Sequence, residues 1–310
     1  MSRDIRITYR DIKLLEFLAE YKIMSLDNSK YIYETITYQE KRIVVLVKHG
    51  YIKRLKHRYI TLGIKGRDLL LLYGVEIRKH CRNANNMERL NVISDISSFI
   101  TFNENMEFTP SWQLKDVDSP TTRSRRYLGV IRMNDTDFLT YSIYENKSRK
   151  YITSVYYDIE KEREHKHIIV FTNDVKELIY RKKQFSFGKR KTFLVAYTEY
   201  NKFILRNYLK IGQAIYNNIK NKYITYESEV DGIDFMLEDK RYVKIMPIIE
   251  MEAIRTIKAN YAMGNYKGKS INIFCLEEDK DIIGEYLPKA VCIGIKKSEI
   301  QDLIDGKILT

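Results

Sequence analysis

The chain has 310 residues, with 54 Lys and Arg against 41 Asp and Glu, a formal charge of +13 and 44% hydrophobic content. That is enough apolar material for two or three packed domains, and four prolines with 13 glycines exclude a collagen-like or low-complexity chain. Three scattered cysteines, Cys81, Cys275 and Cys292, make neither a disulfide framework nor a Cys-x-x-Cys metal site, and no stretch approaches about 20 uncharged apolar residues. The expectation is a cytoplasmic protein without secretory signal, membrane span, metal or cofactor, whose surplus of cations implies a partner of opposite charge. The 25 tyrosines accompany many Lys, Ile and Asn residues, the bias of an AT-rich coding sequence, so position and not abundance carries the argument.

Thr8 can cap a helix over 9–21, whose Ile12, Leu15, Leu18 and Ala19 share a face. After a break at Lys22 to Met24, a short helix is expected over 25–34, and Thr37-Tyr-Gln-Glu40 has the spacing of a capping box that opens a third helix with Ile43, Leu46 and Val47 inward. Gly50 stops that helix. Residues 51–62 then read as two short strands around a basic tip, and 63–74 as a closing helix.

Between Thr37 and Arg67 stand nine Lys and Arg residues against one acid, Glu40, a surplus of eight within thirty-one residues. The pattern of third helix, His49-Gly50-Tyr-Ile-Lys-Arg-Leu55, Tyr59-Ile-Thr-Leu-Gly-Ile-Lys-Gly-Arg-Asp-Leu-Leu70 and closing helix resembles the winged helix-turn-helix superfamily. That resemblance implies a recognition helix headed by Tyr38, Gln39, Lys41 and Arg42 in a major groove. Lys53, Arg54, Lys56, His57 and Arg58 would lie on the backbone or minor groove.

From Ile77 onward strands and helices alternate. Helix 87–100, strands 106–110, 127–133 and 138–144, helix 147–163, strand 167–172, helix 174–182 and strand 191–197 are followed by what reads as the same order again. Helix 201–219, strands 223–228, 232–237 and 241–246, helix 248–263, strand 270–276, helix 279–287, strand 290–295 and helix 297–304 lie about a hundred residues further on. The expected fold class is α+β, an N-terminal winged helix-turn-helix over 1–76 followed by two similar αβββαβ domains over 77–200 and 201–310.

That order resembles the core of the restriction-endonuclease-like PD-(D/E)xK superfamily, in which an acid on the second strand and a Glu/Asp-x-Lys on the third hold Mg²⁺. Each half carries part of the set. Glu145-Asn-Lys147 has the spacing, but its second strand, Tyr127 to Met133, offers no acid, and Asp135 and Asp137 fall in the turn. In the second half Asp231 or Asp234 and Lys244 are present, while Tyr242 stands where the acid belongs. Glu145 and Lys147 are therefore weak catalytic candidates, and no metal site is assigned.

His165-Lys-His167 lacks the apolar middle residue and third histidine of a nickase, and Gly264-Asn-Tyr-Lys-Gly-Lys-Ser270 is one residue short of a P-loop and runs from helix to strand. The basic segment Arg181 to Lys191 reads equally as a second backbone grip or a solvated loop. Trp112, the sole tryptophan, reads as a packing residue.

The domain order resembles the replication-relaxation family and related replication or mobilisation proteins of Gram-positive plasmids and integrative elements. It implies a sequence-specific binder of double-stranded DNA at an origin, with no cleavage of its own. Its implied partners are DNA and host or plasmid replication or transfer proteins, with homodimerisation open. A winged-helix transcriptional regulator and a Mg²⁺-dependent nuclease are the alternatives.

Overall fold

The computed structural model describes residues 5–33, 35–56, 58–77, 87–101, 106–117, 126–143, 148–162, 167–176, 178 and 191–306. Among them are twelve α-helices and fourteen strands in a mixed α+β arrangement. The chain divides into two compact units, residues 1–118 with 128–134 and residues 119–127 with 135–310.

The first unit opens with α1, Tyr9–Tyr21. Thr8 Oγ1 accepts the Asp11 amide at 3.3 Å and Asp11 Oδ2 accepts the Thr8 amide at 2.7 Å, so two of the helix's orphan donors are satisfied reciprocally. The buried face is Asp11, Leu14, Leu15 and Leu18, which places a carboxylate in an otherwise apolar stripe. Ile12, expected in that stripe, is only half-buried.

A short strand, β1 (Ile23–Ser25), follows where only a break was expected, and the second helix shrinks to a 3₁₀ turn, Asp27–Ser29, plus α2, Lys30–Tyr33. The third helix, α3 (Ile36–Lys48), starts behind Thr35, whose φ of −121° and ψ of 134° are extended. Thr37 therefore lies inside the helix and makes no capping box with Glu40. Gly50 ends the helix at φ 78°, as its position demands.

The hairpin β2 (Ile52–Leu55) and β3 (Tyr59–Leu62) pairs Ile52 with Leu62 and Leu55 with Tyr59, and β1 adds to the other edge of β3, giving the sheet order β1-β3-β2. Met24, Ile52, Ile60 and Leu62 point inward; alternation leaves Lys53 exposed, and Arg54, on the face of Ile52, is exposed near the hairpin's turn.

The helix α4, Ile64–Leu72, crosses close to this sheet at Gly66. A Cβ there would lie 2.2 Å from the Tyr51 carbonyl oxygen and 2.9 Å from Leu15. Gly66→Ala is thus expected to cost about 1–3 kcal/mol through overpacking. Trp112 fluorescence against urea reads this directly, and an unchanged midpoint would contradict the close approach.

The unit continues with α5 (Met87–Thr101), β4 (Met106–Pro110), α6 (Ser111–Val117) and β5 (Gly129–Met133). β4 and β5 pair antiparallel from Met106 opposite Met133 to Pro110 opposite Gly129. α5 is buried on most of its circumference, with Ile93, Ile96, Phe99 and Ile100 in the core and Ser94, Ser97 and Ser98 allowing close packing. Asn28 Nδ2 reaches Asp95 Oδ1 at 2.8 Å and Tyr21 Oη reaches the Phe108 carbonyl at 3.1 Å, so this segment shares one unit with α1–β3.

In the second unit β6 (Thr136–Ile143), α7 (Arg149–Lys161), β7 (His167–Thr172) and β8 (Lys191–Ala196) form a strand-helix-strand-strand run with all strands parallel. Ile168 to Phe171 are fully buried, the continuous apolar run of a parallel strand covered on both faces. The long helix expected next is broken at Asn207 into α8 (Glu199–Arg206) and α9 (Tyr208–Lys222).

Then come β9 (Thr225–Glu227), β10 (Phe235–Leu237), β11 (Tyr242–Met246), β12 (Ile249–Glu250), α10 (Met251–Ala262), β13 (Ile271–Leu276), α11 (Lys280–Tyr286), β14 (Ala290–Ile295) and α12 (Lys297–Ile304). Their sheet runs β14-β13-β11-β10-β9, with β11, β13 and β14 parallel. β11, β13 and β14 are thus parallel with a helix, α10, between the first two, as β6, β7 and β8 are parallel with α7 between the first two. β12 belongs instead to the sheet of β8, with which it pairs antiparallel, Ile249 opposite Leu194.

Candidate nucleic-acid interface

One carboxylate sets the position of α3. Asp11 has no exposed surface and accepts from Thr8 Oγ1 at 2.7 Å, Tyr33 Oη at 2.9 Å, and Arg42 Nε and Nη2 at 2.9 and 2.5 Å. Burial alone would raise its pKa, but the bonds from Arg42, Thr8 and Tyr33 outweigh it and hold the carboxyl below its ordinary value. Arg42 Nη2 also donates to the Arg6 carbonyl at 2.6 Å. Helices α1, α2 and α3 are therefore tied through one carboxylate, α3 by an ion pair and α2 by a hydrogen bond.

Two residues expected to read bases are turned inward. Arg42 is the cation of that pair, with a side chain 14% exposed. Gln39 is buried, and its amide donates to the Leu26 carbonyl at 2.5 Å and Ser29 Oγ at 2.6 Å. The correction has a helical cause: Gln39, Arg42, Ile43 and Leu46 follow one another at helical spacing and share the face that meets α1 and α2. That spacing was a usable signal, since Ile43 and Leu46 already marked the inward side. Tyr38 stays 42% exposed and sets its edge against Tyr33, with ring centroids 5.9 Å apart.

The outward face of α3 carries Thr37, Lys41, Val44 and Lys48. Thr37, Lys41, Val44 and Lys48 are exposed, as are Ile36 and the acid Glu40 on the first turns of the same helix. On the hairpin, Lys53 and Arg54 on β2 are exposed, as are Lys56, which takes φ 48° in the turn, and Arg58. His57 lies outside the described residues. Lys41, Lys48, Lys53, Arg54, Lys56 and Arg58 form no ion pair among the described residues. Beside them an open cleft of ≈ 620 Å³ lies between α3 and the 3₁₀ turn, bordered by Ile36 and Glu40 and by Asp27, Lys30 and Arg54 of mixed sign.

The second unit holds a different charge cluster. Asp234, just before β10, sets Oδ1 2.9 Å from Lys244 Nζ and accepts the Ile245 amide on Oδ2 at 2.6 Å. Glu250, brought in by β12, has its Oε2 4.0 Å from Lys244 Nζ and 3.9 Å from Lys191 Nζ. Burial, then the charge of Glu250, push the neighbouring Glu252 carboxyl above its ordinary value, against Arg255, Lys191 and Lys244. Asp231 is exposed and Tyr242 is buried against Tyr266, 5.5 Å between centroids.

Glu250 was not foreseen, because the β12–β8 pairing that delivers it leaves no local signature. Among the described residues no group of three or more His, Cys, Asp or Glu is placed to hold a metal. Lys244→Met should strip both carboxylates of their shared ammonium and cost about 1–3 kcal/mol. A thermal melt followed by circular dichroism tests this, and an unchanged melt would mean the pairs are not held.

Glu145, Lys147 and His165 lie outside the described residues, as does the basic segment from Arg181 to Arg190. His167 opens β7, half-buried with its ring 5.3 Å from Phe138, and Lys191 opens β8 beside Glu250. The Gly264–Ser270 segment joins α10 to β13 with positive φ at Gly264, Lys267 and Gly268. Among the described residues no helix is long and apolar enough to cross a membrane.

Comparison with known proteins adds no relative: no family model, curated protein or solved structure matches the chain.

Proposed function

We propose that the chain is a sequence-specific double-stranded DNA-binding protein, and that α1–α4 with the β1-β3-β2 sheet form a winged helix-turn-helix. In this reading α3 enters the major groove and the β2–β3 hairpin is the wing. One observation carries it: the cations of the outer face of α3 and of the hairpin, Lys41, Lys48, Lys53, Arg54, Lys56 and Arg58, reach solvent without an ion-pair partner among the described residues. A solvated surface ordinarily intersperses both signs, whereas on the two elements that this fold presents to a duplex six exposed cations stand against one exposed acid, Glu40.

The two strand-helix-strand repeats are read as restriction-endonuclease-like domains that do not cut. In the second, Asp234 and Glu250 are each matched by a lysine, an arrangement of internal ion pairs. The setting, an origin on a plasmid or integrative element in replication or mobilisation, comes from the resemblance in domain order.

The experiment is binding of the purified chain to tiled fragments of its own genetic neighbourhood with Mg²⁺ present, scoring mobility shift and cleavage together. Specific shift of a non-promoter fragment without nicking is the expected result. A shift confined to the chain's own promoter would make it a transcriptional regulator, nicking abolished by Glu145→Ala would make it a nuclease, and no shift would remove the reading altogether.

A further inference from the structure

Gln39 and Arg42 are committed inside the protein, which leaves base reading by α3 to its exposed residues, among them the stripe of Thr37, Lys41, Val44 and Lys48, which recur at helical spacing. Within that stripe Val44 is the anomaly. It is 53% exposed, flanked one turn away by Lys41, Lys48 and Glu40 and bordering the cleft with Ile36, while its neighbours Val45 and Val47 are half-buried. A β-branched apolar side chain contributes neither helix propensity nor solubility there. In a major groove it has a specific counterpart, since thymine alone presents a methyl group on its edge while guanine presents two acceptors suited to a lysine ammonium.

Resting on the DNA-binding reading above, we infer that Val44 is a specificity-determining residue that packs on a thymine methyl. Lys41, one helical turn away, donates to guanine O6 and N7 within about two base steps of it. Lys48 lies a further turn along the same stripe, towards the phosphates at the groove edge.

The test begins with selection of a random-centred duplex library on the full chain, followed by replacement of each consensus thymine with uracil, which lacks only the methyl group. One such replacement should weaken binding by the wild-type chain about fourfold, the worth of one buried methyl group. Val44→Ala, exposed and so folding with an unchanged melt, should bind the thymine and uracil duplexes equally, and Lys41→Ala should relax the preference for an adjacent guanine. Indifference of the wild-type chain to every replacement, or a preference retained in Val44→Ala, would overturn the inference while leaving DNA binding standing. Absence of any enriched or bound duplex would instead overturn the DNA-binding reading, and this inference with it.

Discussion

Asp11→Ala is expected to destabilise the first unit by about 3–5 kcal/mol, the cost of leaving one member of a buried ion pair without its partner. The replacement strands the Arg42 guanidinium, whose side chain is 14% exposed, and the hydroxyl of the fully buried Tyr33. It also removes half of the reciprocal cap on α1. Trp112, the only tryptophan, sits in α6 of the same unit, so its fluorescence in urea reports this loss without interference from the second unit.

The pH dependence follows from the same hydrogen bonds. The folded Asp11 carboxyl titrates below its unfolded value of about 3.9, so its contribution is present above pH of about 4 and is lost as pH falls through the folded value. Asp11→Asn should therefore be less stable than wild type at neutral pH and lose less stability on acidification from about pH 5 to about pH 3. Parallel loss in both proteins over that range would contradict the role given to Asp11.

The largest effect on the proposed DNA binding is expected from the β2–β3 hairpin. Replacing Lys53, Arg54, Lys56 and Arg58 together by Ala removes four exposed cations, and since exposed substitutions of this kind stay within about 0.5 kcal/mol of wild type in stability, the melt should be unchanged. Removing one phosphate contact flattens the dependence of log affinity on log salt by about 0.9, so removing all four should take about 3.6 from the slope. Unaltered affinity and slope would mean that the hairpin faces something other than DNA.

What could be read ahead of the structure was whatever local chemistry specifies alone. Thr8 at the head of α1, Gly50 at the end of α3, and the apolar runs of β7 and β13 each carry their own signal, and these elements fall where expected. β1 could not be read, because three residues between helices show no period and exist as a strand only through pairing with β3. The start of α3 was misplaced by about two residues, since Thr35 and Thr37 are both competent caps and the extended backbone at Thr35 decides between them.

The site was legible as a concentration of charge and illegible as a list of side chains. Composition marks Thr37 to Arg67 as basic, but it does not distinguish Arg42, spent on a buried carboxylate, from Arg54, exposed on β2. Asp11 lies thirty-one residues before its partner, and a single acid at the head of a helix reads first as a cap. Glu250 belongs to the same class, a residue whose partners Lys191 and Lys244 come from β8 and β11 through pairings that only the assembled sheets create.

The central claim is tested most directly by the affinity of the full wild-type chain for a duplex carrying its selected site, measured by fluorescence anisotropy over a series of salt concentrations. About four to five phosphate contacts from Lys48, Lys53, Arg54, Lys56 and Arg58 give an expected log–log slope between about −3.6 and about −4.5. A slope near zero, or no binding at any salt concentration, would contradict it.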